Sequence, residues 1–257
     1  MLQVKQRRVC PRFQPMLRSA GLLDIECVAK REFDWFEAPN RRRGGWSGVS
    51  RIVLNPEAPD DERTAVFLKI QQNHFYTSWR NCFRQQLTYQ REFSAINSLN
   101  DMVEGLPQIL LYAEWAQGKN RGCVLITQAL DGWTAFDQWL AQEPDNMDIE
   151  QVLGQLAGSL RRMHRHRWAH FGLFQKHVFL RRTMDGGFEV RLIDFEKARK
   201  TLTRNQSILE DVSRLLRHSP NLSRELQLGF LHAYFQTASF SAAQKRLIRK
   251  MRGAPDL

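Results

Sequence analysis

Two histidines and two carboxylates lie close together in the second half of the chain, and they carry the clearest chemical signal in the sequence. His170 and His177 belong to one loop, and Asp194 and Glu196 follow an apolar run. A carboxylate that ends an apolar strand, with a histidine in a neighbouring loop, is a common way to hold a divalent metal against a phosphate group. These residues therefore predict a metal and phosphate site.

A β-hairpin is predicted between the loop histidine and the carboxylate. Its strands are His177–Leu180 and Phe188–Ile193, and an Asp-Gly-Gly sequence that begins at Asp185 lies between them. This triplet is a strong turn signal because glycine tolerates positive φ without steric cost. The hairpin is thus the element expected to position the two groups.

A second phosphate-binding feature is predicted nearer the N-terminus, in a glycine-bearing turn between the strands Glu32–Ala38 and Arg51–Leu54. The turn contains Gly45 and Gly48 and follows three arginines, Arg41–Arg43. Glycines let backbone N–H groups approach a phosphate closely, and arginine supplies permanent positive charge. An ordinary glycine hairpin explains the same residues, so both interpretations stay open.

The loop and hairpin resemble the catalytic centre of protein-kinase-like phosphotransferases, whose pattern is H-R-D-L-x-x-x-N followed by D-F-G. His170 matches the first histidine, His177 stands at the asparagine position, and Asp194-Phe195 matches Asp-Phe. The chain looks most similar to the lipopolysaccharide kinase (Kdo/WaaP) family, in which a histidine replaces that asparagine. Within the family, the run Lys176–Phe179 resembles the InaA-type proteins.

The resemblance implies a nucleotide site in the first half of the chain. The strand Thr64–Ile70 is similar to the V-A-I-K strand, whose lysine pairs with the α- and β-phosphates and with a glutamate on the next helix. Lys69 takes the place of that lysine, and Glu92, in a predicted helix Asn81–Leu99, takes the place of the glutamate. A solvated strand-end lysine and a surface glutamate are the alternatives. The implied nucleotide-binding residues are Gly45, Gly48, Lys69 and Glu92.

The resemblance also implies roles for the residues around the hairpin. Asp194 would be a metal ligand, and His177 would be a second ligand or would orient a metal-bound water. Glu196 replaces the usual glycine and would either bind the metal or form a salt bridge. The implied cofactors are ATP and Mg²⁺, or Mn²⁺ if the imidazole binds directly. The implied catalytic residues are Asp194, His170 and Lys69.

The fold implied is α+β, a protein-kinase-like two-lobed fold with a small antiparallel β lobe and a mostly helical large lobe. A basic N-terminal extension is expected over residues 1–32, the small lobe over 33–129 and the large lobe over 130–257. The small lobe would have five strands, of which the last two are Gln108–Glu114 and Cys123–Gln128. In the large lobe, Asp148 is predicted to cap a helix that runs to about Arg167.

Two further features of the large lobe have two interpretations each. Asp211 resembles the start of the central helix of kinase-like large lobes, or it is an ordinary acid in a first helical turn. The basic run Arg161–Arg167 is either a cationic helix C-terminus or an anionic acceptor site beside the catalytic loop. The residues alone do not separate these alternatives.

Gly172 departs from the kinase pattern because it occupies the position of the catalytic aspartate. Two functions follow. One is an ATP-dependent kinase that phosphorylates a sugar hydroxyl of a lipopolysaccharide core or similar glycolipid, with His170 or a carboxylate from elsewhere as a substitute base. The other is a kinase-fold nucleotide-binding pseudoenzyme that acts in envelope or acid stress.

The composition of the chain limits the classes of partner that it is expected to bind. The chain has 257 residues, 42% of them hydrophobic, and a net charge of +11. This charge favours acidic partners, namely a nucleotide, an anionic glycolipid or an anionic membrane face. Nucleic acid is not expected, because only charge supports it. The four cysteines are scattered and no secretory signal or membrane-spanning run is evident, so a cytoplasmic location is expected, with peripheral contact at the inner membrane as the membrane option.

Overall fold

The computed structural model describes residues 1–42, 44–77 and 85–256. The helices in these ranges are α1 Gln14–Ser19, α2 Ile25–Lys30, α3 Thr88–Leu99, α4 Phe136–Leu140, α5 Asn146–Arg165, α6 Arg204–Arg217, α7 Arg224–Phe235 and α8 Ala242–Ile248. The strands are β1 Gln3–Val9, β2 Glu37–Arg42, β3 Gly45–Val53, β4 Ala65–Gln72, β5 Phe75–Tyr76, β6 Gln86–Leu87, β7 Ile109–Gln117, β8 Asn120–Gln128, β9 Thr134–Ala135, β10 Trp168–Ala169, β11 Val178–Arg182, β12 Phe188–Leu192 and β13 Arg199–Lys200.

The chain divides into two compact units. The first contains Met1–Ser94 and Pro107–Asp131, and the second contains Ala95–Leu106 and Gly132–Leu257. The first unit holds the large sheet, and the second holds most of the helices.

The first unit is built on an antiparallel sheet with the strand order β1-β7-β8-β4-β3-β2. Strand β8 is central because its residues Cys123–Ile126 are apolar and fully buried, as expected of a strand covered on both faces. Leu17 and Leu22 pack with the sheet residues in one core. The sheet has six strands rather than the five predicted, because Gln3–Val9 pairs with β7 instead of forming part of an extension.

The secondary structure predicted around the glycine turn was partly wrong. The segment predicted as the strand Glu32–Ala38 forms β2 only from Glu37, and the predicted strand Arg51–Leu54 is the end of the longer β3. Gly45 and Gly48 therefore lie within β3 rather than in a turn. Of the predicted helix Asn81–Leu99, residues 81–84 lie outside the described ranges, and the described helix begins at Thr88.

The second unit has a helical core and a small sheet. The predicted apolar face of α5 is confirmed, since Val152, Leu156 and Leu160 are buried. The helix is capped by Asp145, whose side chain accepts from the backbone N–H of Asp148 at 2.8 Å. Asp148 is therefore not the cap that the sequence predicted. It lies one turn inside the helix and pairs with Arg182.

The predicted hairpin is confirmed. Strands β11 and β12 pair in register from Val178 with Leu192 to Arg182 with Phe188. One further backbone bond closes its open end, where the N–H of Ile193 donates to the carbonyl of His177 at 3.0 Å. The hairpin thereby brings the loop that ends at His177 beside the residue that follows Ile193, which is Asp194.

Candidate functional site

In the first unit, Lys69 forms the ion pair that the sequence predicted. Its Nζ lies 2.6 Å from Oε1 of Glu92, whose side chain is 1% exposed. The ammonium also lies 5.9 Å from the ring centroid of Tyr89. A carboxylate this deeply buried needs a cation or several hydrogen-bond donors to stay charged, and the ammonium of Lys69 is both a cation and a donor. The pair thus fixes the lysine head group, and its role toward a nucleotide stays a prediction.

The two glycines predicted to bind phosphate are explained by packing. A Cβ at Gly48 would lie 2.4 Å from the ring of Trp35, and one at Gly45 would lie 2.2 Å from the carbonyl oxygen of Asn73. No side chain fits at such distances, so both positions need glycine whether or not a phosphate binds nearby. Their nucleotide-binding role stays a prediction.

In the second unit, Asp211 holds the loop that begins at His170. The backbone N–H of His170 donates to its Oδ2 at 2.7 Å, and that of Phe171 donates to its Oδ1 at 2.9 Å. Phe171 has a φ of 58°, which is uncommon for a bulky residue and costs about 1–3 kcal/mol. The bidentate bond offsets this strain. Of the two interpretations of Asp211, the structure therefore favours the central-helix one over a first-turn acid.

Asp211 is supported in turn by a buried histidine. Nε2 of His164 lies 3.0 Å from Oδ2 of Asp211, and Nδ1 lies 2.8 Å from the hydroxyl of Tyr234. Burial by itself would raise the pKa of Asp211, but the hydrogen bond and charge of His164, with His170, leave the pKa below its usual value. The aspartate is thus a buried anion with a full set of donors.

Sequence reasoning missed this role of His164 and included it in the basic run Arg161–Arg167. A signal was present, because His164 lies four residues after Leu160 on the buried face of α5. The same run contains the half-buried Arg161 and Arg162 and the exposed Arg165. The run is therefore not one uniform basic surface.

His170 is a fully buried histidine with both ring nitrogens engaged. Nε2 lies 2.8 Å from the carbonyl oxygen of Ile193, to which it must donate. Nδ1 is then left to accept the N–H of Gly172 at 3.2 Å. Burial lowers the pKa of His170 below its ordinary value, so the ring is neutral near pH 7. This arrangement favours a role in positioning the loop over the role of substitute base.

His177 and Asp194 come together at the end of the hairpin. Nδ1 of His177 donates to the carbonyl oxygen of Gly172 at 2.6 Å, so in the neutral form of the ring the lone pair is on Nε2. That atom lies 3.4 Å from Oδ2 of Asp194. Metal-binding histidines typically donate their other N–H to a carbonyl or carboxylate in this way, which fixes the tautomer and the ring orientation. Asp194 itself has a φ of 65°, a left-handed conformation that aspartate tolerates better than most residues.

These two side chains fit a metal that is held together with a phosphate. Within the described residues, no three histidine, cysteine, aspartate or glutamate side chains come together as a ligand set, so Glu196 does not complete one with His177 and Asp194. Mg²⁺ typically takes only one or two protein carboxylates and fills its other positions with water and substrate phosphates. A two-residue set is therefore consistent with a nucleotide-bound metal and not with an all-protein metal cage.

Gly172 contributes only its backbone, and it contributes both polar groups. Its N–H bonds His170 and its carbonyl bonds His177. A Cβ added here would lie 3.4 Å from Nδ1 of His170 and 3.8 Å from Cδ of Lys197, which is ordinary contact. The space beside the loop thus admits a small side chain, although the sequence supplies none.

Comparisons with known proteins bear on the family and the fold. The family model described as the lipopolysaccharide kinase (Kdo/WaaP) family matches residues 26–235. Protein InaA of Escherichia coli (strain K12) is 28% identical over 189 residues, which are 72% of this chain and 82% of InaA. A solved structure described as WaaP in complex with acyl carrier protein has a TM-score of 0.62 and 16% identity, and the match covers 95% of this chain and 92% of that one. The predicted kinase-like α+β fold is thereby confirmed.

Proposed function

The chain belongs to the lipopolysaccharide kinase (Kdo/WaaP) family, and from this premise we propose that it is an ATP-dependent phosphotransferase. The acceptor is a sugar hydroxyl of a lipopolysaccharide core or a similar glycolipid. The observation that carries the proposal is the pairing of His177 with Asp194, in which Nε2 of an oriented histidine faces a carboxylate oxygen at 3.4 Å. Family membership alone gives the reaction class, and this pairing supports a nucleotide-bound metal.

In the first unit, Lys69 is the nucleotide-binding residue of this proposal. Its ammonium is a compact charge with three donors, and the ion pair with buried Glu92 limits its motion. A lysine held in this way can bind α- and β-phosphates without first giving up a solvated, mobile conformation. The side-chain entropy of ordering has already been lost on folding.

In the second unit, Asp194 and His177 are the metal-binding residues of this proposal, with Mg²⁺ or Mn²⁺ as the ion. When bound, the ion supplies positive charge against the phosphate oxygens. The chain fixes the orientation of His177 through the carbonyl of Gly172. It fixes the hairpin end through the bond from Ile193 to His177. Both contacts hold the metal-binding side chains in place before the metal or the nucleotide binds.

The acceptor hydroxyl meets no carboxylate at position 172, and this sets the expected rate. Loss of a general base costs about 10²–10⁴-fold. Phosphoryl transfer depends mainly on positioning and on charge around the transferred group, and the residues for both are present. We therefore propose a slow enzyme in which the catalytic loop positions the reactants.

Gly172 also favours a second candidate function, a nucleotide-binding protein of the kinase fold without turnover, acting in envelope or acid stress. The loop keeps its support through Asp211 and His170 while the reacting side chain is absent. Such a protein would bind nucleotide and metal through Lys69 and Asp194 and transfer no phosphate.

The test is turnover of labelled ATP with purified lipopolysaccharide core as acceptor and a reaction without acceptor as control. Label that appears in the core with the wild type, and is lost in Asp194→Asn, supports the kinase. Glu196→Gln is the comparison variant, since it removes a neighbouring carboxylate that is outside the proposed ligand pair. Nucleotide binding without any labelled core favours the second candidate, and absence of nucleotide binding under every metal condition contradicts both.

We further propose that the protein acts in the cytoplasm and touches the inner membrane peripherally. Among the described helices, none combines the length and the apolar character needed to cross a bilayer, and the net charge is +11. Basic proteins bind anionic lipid surfaces in a salt-dependent manner. Co-sedimentation with vesicles that contain anionic lipid, and loss of binding at high salt, is the expected result, with neutral vesicles as control.

A carrier protein is a further partner to test, because the solved WaaP structure is a complex with acyl carrier protein. We propose that this chain binds a carrier protein of the same kind. Co-elution of the two purified proteins in gel filtration would support this partner, and separate elution at micromolar concentration would remove it.

A further inference from the structure

A basic pocket lies on the last two turns of α6, outside the residues assigned above. Its volume is about 340 Å³, and its polar lining comes from Glu210, Ser213, Arg214, Arg217, Lys250 and Arg252. Four of these side chains are cationic and one is anionic. The volume is within the range of small-molecule sites, and the charge favours an anion.

Arg214 brings a positive charge to the lining of the pocket. Its Nε is buried, and none of the described residues accepts a hydrogen bond from it. A buried donor left without an acceptor costs about 1–3 kcal/mol. Because this Nε is closed to solvent, an oxyanion in the pocket would meet the positive charge of the guanidinium rather than the Nε atom, and a guanidinium favours phosphate as its partner.

Repulsion between the cations supports the same conclusion. Arg214 and Arg217 are three residues apart on one helix, where like charges repel. Their place in the last turn of α6 is explained by the helix dipole. That explanation does not extend to Lys250 and Arg252, which follow α8 and reach the same pocket from another segment. A bound anion would relieve the repulsion among all four.

The pocket adjoins the catalytic loop through one aromatic ring. The guanidinium carbon of Arg214 lies 5.6 Å from the ring centroid of Phe174. The same ring packs edge-on against His177, with 5.7 Å between the centroids. Arg214 of the pocket and His177 of the proposed metal site therefore both contact the ring of Phe174, and all three residues belong to the second unit.

We propose that this pocket binds a phosphate group, and that the group is one already carried by the acceptor. The second clause rests on the phosphotransferase function proposed above. A phosphate held beside Phe174 would anchor the acceptor next to the loop that carries His177. The acceptor class is then a phosphorylated glycan rather than a neutral sugar.

Binding of inorganic phosphate to the full-length protein tests the pocket without any turnover. The pocket variant is Lys250→Glu with Arg252→Glu, two exposed residues. The matched control is Lys245→Glu with Arg246→Glu, a lysine and an arginine that are exposed on α8 and outside the pocket. All proteins carry Lys69→Met, which removes the proposed nucleotide site as a second phosphate binder.

Calorimetric titration at constant ionic strength should give a Kd that is at least about tenfold higher in the pocket variant than in the control, since charge-assisted bonds are lost. Arg217→Lys, which keeps the charge, should bind nearly as well as the control. Equal affinity in the pocket variant and the control, or no phosphate binding by any of the proteins, would overturn the proposal.

A second arm separates a phosphate on the acceptor from free phosphate. Lipopolysaccharide core, intact or treated with phosphatase, is titrated into proteins with Lys69 intact. Tighter binding of the intact core, lost in the pocket variant only, assigns the phosphate to the acceptor. Equal binding of both cores overturns that assignment. If the pocket binds intact core but no acceptor is ever phosphorylated, the kinase proposal fails and the pocket stands. If the core is phosphorylated equally well by the pocket variant and the control, the kinase proposal stands and the pocket proposal fails.

Discussion

The two units keep different parts of the kinase pattern. The first unit has the lysine pair, which is Lys69 with Glu92, and here the group that would contact the ligand is itself present. The second unit has the loop cluster, which is His170, Gly172, His177 and Asp194. Its support is complete, yet the position of the reacting carboxylate is a glycine. Support and reacting group are thus separable in this fold.

Burial explains why one can be lost without the other. Asp211 is an anion with 0% exposure that accepts bonds from two backbone N–H groups and a histidine. Removal of one partner of such a network leaves several buried groups unsatisfied. Gly172 has no side chain, and the atoms around its Cβ position are at ordinary contact distance. The side chain at position 172 can therefore be changed at little cost in stability.

The largest expected effect is therefore that of Asp211→Ala. We expect the free energy of unfolding to fall by about 3–5 kcal/mol, because three donors lose their acceptor in the interior. Chemical denaturation of the purified variant measures it. Glu150→Ala, an exposed carboxylate on α5, is the control and should change stability by less than about 0.5 kcal/mol. Similar stability of the two variants would contradict the supporting role of Asp211.

The sequence predicted the elements whose signals are local and missed those that depend on contacts with distant segments. The hairpin at Asp185 and the strand that carries Lys69 were predicted because their signals are local: a glycine turn and a run of β-branched residues. Strand β1 was not, since six of its seven residues are exposed and polar or basic residues predominate. Its pairing with β7 supplies the stabilisation, and no pattern within Gln3–Val9 reveals that partner.

The candidate site divides in the same manner. Residue types and order sufficed to pair Lys69 with Glu92 and to place His177 near Asp194, because the family pattern fixes both. The sequence could not show why glycine is needed at positions 45 and 48. The close neighbour of Gly45 is Asn73 and that of Gly48 is Trp35, and neither neighbour is adjacent in the sequence. Glycine is needed at these two positions because of contacts that form only when the chain folds.

The next largest effect concerns the lysine pair. ATP with Mg²⁺ or Mn²⁺ should stabilise the wild type, by about 2.7 kcal/mol at a ligand concentration of 100 times Kd. Lys69→Met should lose most of this stabilisation. Lys30→Met is the matched control, because Lys30 is also paired with a glutamate, Glu26, but is exposed on α2. A ligand-induced shift in melting temperature that is equal in all three proteins would contradict a nucleotide role for Lys69.

The loop cluster is tested by restoring its missing group. Gly172→Asp should raise labelled-ATP turnover by at least about tenfold if a general base is the missing element, and its Cβ fits the space beside His170 and Lys197. Gly172→Asn is the control, since it has the same size without a basic carboxylate. Higher turnover in both variants would assign the gain to shape. A slower aspartate variant would mean that the wild-type loop already has another base.

The smallest expected effect is a pH dependence of stability that originates at His170. Burial lowers the pKa of this histidine in the folded protein, whereas the unfolded chain titrates near about 6.5. Below that pH the unfolded state binds more protons, so stability should fall as the pH decreases from about 7.5 to 5.5, by at most about 1.4 kcal/mol per pH unit for one group. His170→Gln should be less stable than the wild type at neutral pH, because the bond to Ile193 is weakened, and its stability should depend less on pH. Denaturation curves of both proteins across this range measure the difference.

His74→Gln serves as comparison, because burial also lowers the pKa of His74, with a coulombic contribution from Arg42, and His74 lies in the first unit. If the two variants flatten the profile equally, the acid sensitivity is shared by both units, and if His170→Gln leaves the slope unchanged, the loop histidine is not its source.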